Sequence, residues 1–124
     1  MVDEDEILKL NRRTFELEAK PDNWEAELRH ILTDDFVIRR SNPRVPTQDR
    51  EAIIGFIAAQ EPAERYISSE LAWTGGDSGV VVCTITLRTI PDAIFHNVKV
   101  FVRAEGWKCR YWQVTREDKP QANQ

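Results

Sequence analysis

The chain has 124 residues, with 17 basic and 21 acidic side chains and a net charge of -4. That length holds one domain, residues 1–124, with a core large enough to stand without disulfide or metal staples. Lys and Arg are interspersed with Asp and Glu, which argues against a nucleic-acid partner, and no apolar run reaches the roughly 18 residues that a membrane span needs.

The opening Met1-Val-Asp-Glu-Asp-Glu6 is acidic where a secretory leader is basic and then apolar, so a cytoplasmic protein is expected. From about Asp5 to Ala19 the residues are good helix formers, with Leu8, Asn11, Arg12, Phe15 and Ala19 along one side. The stripe is thin, and partial exposure is the expectation for the polar Asn11 within it. Lys20-Pro21 breaks this helix, and Asp22-Asn-Trp-Glu25 has the form of a capping box. The second helix carries Trp24, Leu28, Ile31 and Leu32 on one face and His30 off it.

Thr33-Asp-Asp35 ends that helix, and Phe36 to Arg40 reads as a short strand with Phe36, Ile38 and Arg40 on one side. After a loop from Ser41 to Pro46, Thr47 is the expected cap of a third helix buried through Ile53, Ile54 and Ile57. It should stop before Pro62. Arg65 to Trp73 alternates as a half-buried strand, Thr74 to Gly79 is a turn cluster, and Val80 to Ile90 is rich in β-branched residues. Pro91-Asp92 is expected to turn the chain into the closing pair, Phe95 to Ala104 and Trp107 to Arg116.

Glu105-Gly106 between those two suits a two-residue hairpin loop. Ala104 would then oppose Trp107, and Val102 would face Cys109, Val100 Tyr111, Val98 Gln113 and His96 Thr115. This face grades from apolar near the turn to polar at the far end, as an inner face leading to a pocket mouth would. The other face, with Lys99, Phe101, Arg110 and Trp112, combines aromatics and cations and is expected to form a dimer interface. Cys83 and Cys109 fall on strands with one strand between them, too far apart to bridge, and match no zinc spacing. Two scattered histidines give no convincing ligand set, so neither metal nor cofactor is expected.

Three helices, a short strand and a long meander ending in Gly106-Trp-Lys-Cys-Arg-Tyr-Trp-Gln-Val-Thr115 resemble the NTF2-like superfamily, specifically its SnoaL-like and DUF4440-type members. Leu32-Thr-Asp-Asp-Phe-Val37 is a second familiar element. The resemblance implies an α+β cone, with three N-terminal helices packed on a strongly curved antiparallel sheet and a pocket between them. That pocket would draw on Trp24, Phe36, Ile38, Arg40, Phe56, His96, Tyr111 and Gln113. Two functions are then open. One is a non-catalytic homodimer that binds a small apolar molecule, which the apolar-to-polar gradient favours. The other is a lyase, isomerase or cyclase acting on a small hydroxylated or ketonic substrate, with His96 as base, Tyr111 as donor and Arg40 as anion partner.

Overall fold

The structure is a computed structural model and describes residues 2–119. Helix α1 spans Val2–Leu17, α2 Trp24–Ile31 and α3 Arg50–Ala59. Strands β1 (Leu32–Arg40), β2 (Gln48–Asp49), β3 (Arg65–Gly75), β4 (Ser78–Leu87), β5 (Ile90–Arg103) and β6 (Trp107–Asp118) form one sheet in the order β2-β1-β6-β5-β4-β3. The fold is α+β, and β3 to β6 are the antiparallel meander read from the alternation. The sheet as a whole is mixed, because β1 runs parallel to β6.

Helix ends differ in detail. Asn23 takes a left-handed conformation, φ 63°, at the start of α2 and makes no side-chain cap, so the expected Asp22 capping box does not form. At α3 the cap is Asp49, whose carboxylate accepts from Ala52 N at 2.8 Å, two residues beyond Thr47. Pro91 and Asp92 lie within β5; the turn before it is at Arg88-Thr89.

The hairpin β5–β6 holds the main correction. Its loop is Ala104-Glu105-Gly106, closed by the pair Arg103–Trp107, with positive φ at Glu105 (55°) and Gly106 (101°). Phe101 therefore faces Cys109 and Val102 faces Lys108, one residue off the two-residue-loop register. The ladder then shifts between Val100 and Phe101, leaving Arg110 without a direct opposite as a β-bulge. Beyond it Lys99–Trp112, Val98–Gln113 and His96–Thr115 pair as expected. A slip of one residue exchanges the two faces of a strand. The bulge thus brings Trp107, Cys109 and Trp112, of mixed parity, onto one face.

That face is the inner one. Lys99, Phe101 and Cys109 are fully buried and Trp107 and Trp112 nearly so, with Val81, Cys83 and Ile85 beside them. α1 lays Ile7, Phe15 and Leu17 against this surface. Burial of each such large apolar side chain stabilises the fold by about 1.5–3 kcal/mol. The expected dimer face of Lys99, Phe101 and Trp112 is therefore core, while Arg110 stays exposed and pairs with Asp35 at 2.8 Å. The valines that alternate with Lys99 and Phe101 sit on the outer face, half-buried.

Candidate functional site

α1 ends at Leu17 with a turn in which Glu18 N bonds Phe15 O at 3.2 Å, and Lys20, φ 58°, reverses the chain. Lys20 Nζ then reaches the last carbonyls of α3, Ala58 O at 3.1 Å and Gln60 O. A cation at a helix C-terminus is favourable, and here it ties the end of α1 to α3. The anchoring aims Glu18 inward, under the sheet.

Glu18 lines a chamber of about 110 Å³ with Phe15 from α1, Ile38 and Arg40 from β1, Arg65 from β3, Asn97 from β5 and Trp112 from β6. Arg65 Nε stands 2.9 Å from Glu18 Oε2, but its N–H is not aligned, so that oxygen is a buried acceptor without a hydrogen bond. Burial pushes the Glu18 carboxyl up from the ordinary range, against the pull of Arg65, Lys99 and Arg40. Arg40 is held from behind by Gln48 Oε1, with its Cζ 4.8 Å from the Phe56 ring, and burial draws its pKa down. Asn97 fixes the wall, accepting from Trp112 Nε1 at 2.6 Å and donating to Phe95 O at 3.1 Å.

Behind Phe15 and Trp112 lies Lys99. Its Nζ is 3.7 Å from the Phe15 ring centre and 4.0 Å from that of Trp112, and it donates to Asn11 Oδ1 at 2.8 Å. Asn11, expected to be partly exposed, is fully buried because it receives this ammonium; its amide donates onward to Glu70 Oε2 at 3.2 Å. Arg12 Nε closes the chain at the surface, 2.7 Å from Glu70 Oε1. Desolvation pulls Lys99 down to about 8 and pushes Cys109 up to about 12. Cys83 and Cys109 are free, buried thiols.

The residues singled out in the sequence scatter. Ile38 and Arg40 line the chamber, and Phe56 supports Arg40 while remaining partly exposed. Trp24 and Phe36 are core. His96, Tyr111 and Gln113 lie on the outer face, where His96 Nε2 meets Glu117 Oε1 at 2.7 Å and Tyr111 donates to Gln113 Oε1 at 2.7 Å. The bulge at Arg110 puts Trp107 and Cys109 on the face of Lys99, Phe101 and Trp112, which makes that face the inner one; His96 and Tyr111 keep their expected strand partners but lie on the other face, so the proposed catalytic pair does not reach the chamber. Glu18, Arg65 and Asn97 were missed. The available signal was the position of Glu18 one turn past Phe15 and just before the Lys20-Pro21 break, at the inner end of α1.

Among the described residues no three His, Cys, Asp or Glu side chains gather as a metal site. No described helix is long and apolar enough to cross a membrane.

No protein-family model matches this sequence, and comparison with curated proteins gives no match. Solved structures do. An NTF2-like protein with a cystatin-like fold from Novosphingobium aromaticivorans superposes with a TM-score of 0.77 at 18% identity, over 97% of this chain and 85% of that one. An NTF2-like protein from Cytophaga hutchinsonii gives 0.76 at 20% identity, over 91% and 97%. The S. rosetta CaMKII hub gives 0.76 at 13% identity, over 91% and 95%. The chain has the NTF2-like fold.

Proposed function

We propose that the protein is a homodimeric small-molecule-binding domain whose ligand places an acidic head in the chamber between α1 and the sheet. The observation that carries this is the charge set around that space. Arg40 and Arg65 bring two guanidinium groups to one carboxylate, Glu18, and the ammonium of Lys99 adds to the excess from behind the wall. A small anion would offset the surplus and use the planar donor forks of arginine. At about 110 Å³ the chamber lies well below the roughly 300–1,000 Å³ of drug-sized sites, so the buried head is a few atoms. A large apolar ligand does not fit there.

Thermal unfolding with acetate, propionate and butyrate, each against its neutral amide, tests the reading. The acids should raise the midpoint and the amides should not, with the difference lost in Arg40→Met. Equal stabilisation by the amides would refute an anionic head.

A second reading, acid-base catalysis on a small hydroxylated or ketonic substrate in the manner of SnoaL-like or DUF4440-type proteins, is favoured by Glu18 alone. It is a buried carboxyl with a raised pKa and an oxygen free of hydrogen bonds, the qualities of a general base. The base is then Glu18 and not His96. Turnover lost in Glu18→Gln, with binding kept, would support it.

The dimer face we propose is the outer sheet surface. Leu71 and Trp73 are 61% and 55% exposed there, beside half-buried Val80, Val82, Val98 and Val100. Likeness to a hub domain supports self-association.

A further inference from the structure

A second and larger space lies outside the chamber. It is an open groove of about 750 Å³, walled on one side by residues 63–70 without a gap and on the other by Arg12, Phe15, Glu16 and Ala19 of the α1 side. Phe15 and Arg65 line both spaces and form the partition between them. Strand β3, which supplies most of the first wall, ends the sheet and, among the described residues, pairs with β4 alone. We propose that this groove is a strand-addition site, in which an extended segment of a partner protein pairs with the free edge of β3 and sets a lysine or arginine beside Glu64.

Three independent features lead there. A strand edge offers a row of unpaired N–H and C=O groups, which proteins blunt with lysine, proline, bulges or inward-pointing charge. Arg65–Gly75 contains no lysine or proline; the bulge between Ile67 and Ser69 interrupts it once, and from Ser69 to Gly75 its ladder is regular. Second, apolar side chains flank the edge on both faces. Phe15, Ala19 and Ile67 lie on the groove side, while Tyr66 stands exposed on the other, next to Leu71 and Trp73 of the proposed dimer face. A strand laid alongside would give each of its alternating faces apolar cross-strand neighbours, which a ligand confined to the groove would not. Third, the groove's charges do not cancel. Arg12 is taken by Glu70, Arg65 by Glu18 and Glu16 by Arg13, which leaves Glu64 as the acidic surplus. Among the described residues Glu64 accepts from the Tyr66 hydroxyl at 2.6 Å, which Arg88 approaches at 3.5 Å.

The test is selection of short random peptides on the full chain by display. Binding of the enriched sequence is then measured by fluorescence anisotropy, and amide exchange is followed with and without it. The expected result is an alternating apolar sequence with a basic residue, and slowed exchange at the β3 amides of residues 65–71. N-methylation of alternate peptide amides, or Glu64→Lys in the protein, should weaken binding by at least about tenfold. The inference is overturned if no peptide is enriched, if the N-methylated peptide binds as well as its parent, or if exchange slows elsewhere and not at β3. It also falls if the β3 amides are already protected in a dimer of the free protein, since a second copy would then be the occupant.

Discussion

Lys99 Nζ lies 4.0 Å from the centre of the Trp112 ring, and both side chains are inside the protein. The pairing itself is what the hairpin register implied; its location is not. The long apolar stem of lysine fills core volume, and its ammonium finds two ring faces and the Asn11 carbonyl in place of water.

This placement has a pH consequence. Burial lowers Lys99 from 10.5 to about 8, so between those values the unfolded chain binds more protons and stability rises with pH. Below that window the buried charge costs about 3 kcal/mol. Urea unfolding of the wild type and of Lys99→Met from about pH 7 to 10.5 should show the wild type gaining by about that amount relative to the variant. Lys99 also lowers Cys83 and Cys109, so the comparison is made with both thiols replaced by alanine. A flat difference would mean that the ammonium is not held charged in the core.

The faces of the sheet can be separated by matched substitutions. Trp112→Glu deletes a buried indole with its hydrogen bond to Asn97 and its contact with Phe15, and should cost about 3–5 kcal/mol and the near-ultraviolet circular dichroism even where the new carboxylate meets Lys99. Trp73→Glu, at an exposed site, should keep the fold and shift light scattering from dimer to monomer at micromolar concentration. A folded Trp112→Glu monomer would restore the opposite face assignment.

Gly79 is required by α1. A Cβ there would stand 2.9 Å from Ile7 Cδ1 and 3.3 Å from Trp73 O, so the fully buried Ile7 side chain would have to turn aside within the core. Gly79→Ala should cost about 1–3 kcal/mol, and Ile7→Val should recover part of it, giving a non-additive pair in chemical denaturation.

Glu18 provides a second pH signature, of opposite sign. Its folded pKa is raised, so its contribution is fully present below the ordinary carboxylate range and is lost as pH rises through the raised value. Wild-type stability relative to Glu18→Gln should therefore fall from acid towards neutral pH. A saturating small carboxylate should steepen that fall, because an anion beside Glu18 further favours its protonated form. An unchanged profile would place the ligand away from Glu18, whose charged neighbours here are Arg65 of β3, Arg40 of β1 and Lys99 of β5.

Much of the architecture was legible. Turn residues at 74–79 and 105–106 and the alternation of β3 to β6 mark the meander, and the NTF2-like resemblance agrees with the fold of the solved structures. Strand parity put Arg40 and Ile38 on one side of β1, and the resemblance set a pocket there; both line the chamber. What failed was the side of the closing hairpin. Val98, Val100 and Val102 look like core, yet β-branched residues also suit an outer face, while Lys99 looks exposed and is the buried one.

Turn chemistry and a period of two are local properties, and they fix the order of the three helices and the long strands and the cross-strand partners from Val100 to His96. Which face is inside is a matter of packing between distant elements. That choice depends on the volume beneath α1, which the bulge at Arg110 fills with Trp107, Cys109 and Trp112 together, and on Asn11, 88 positions away in sequence, receiving the charge of Lys99. The same packing assembles Glu18, Arg40 and Arg65 from three separate elements, and no local pattern carries that meeting.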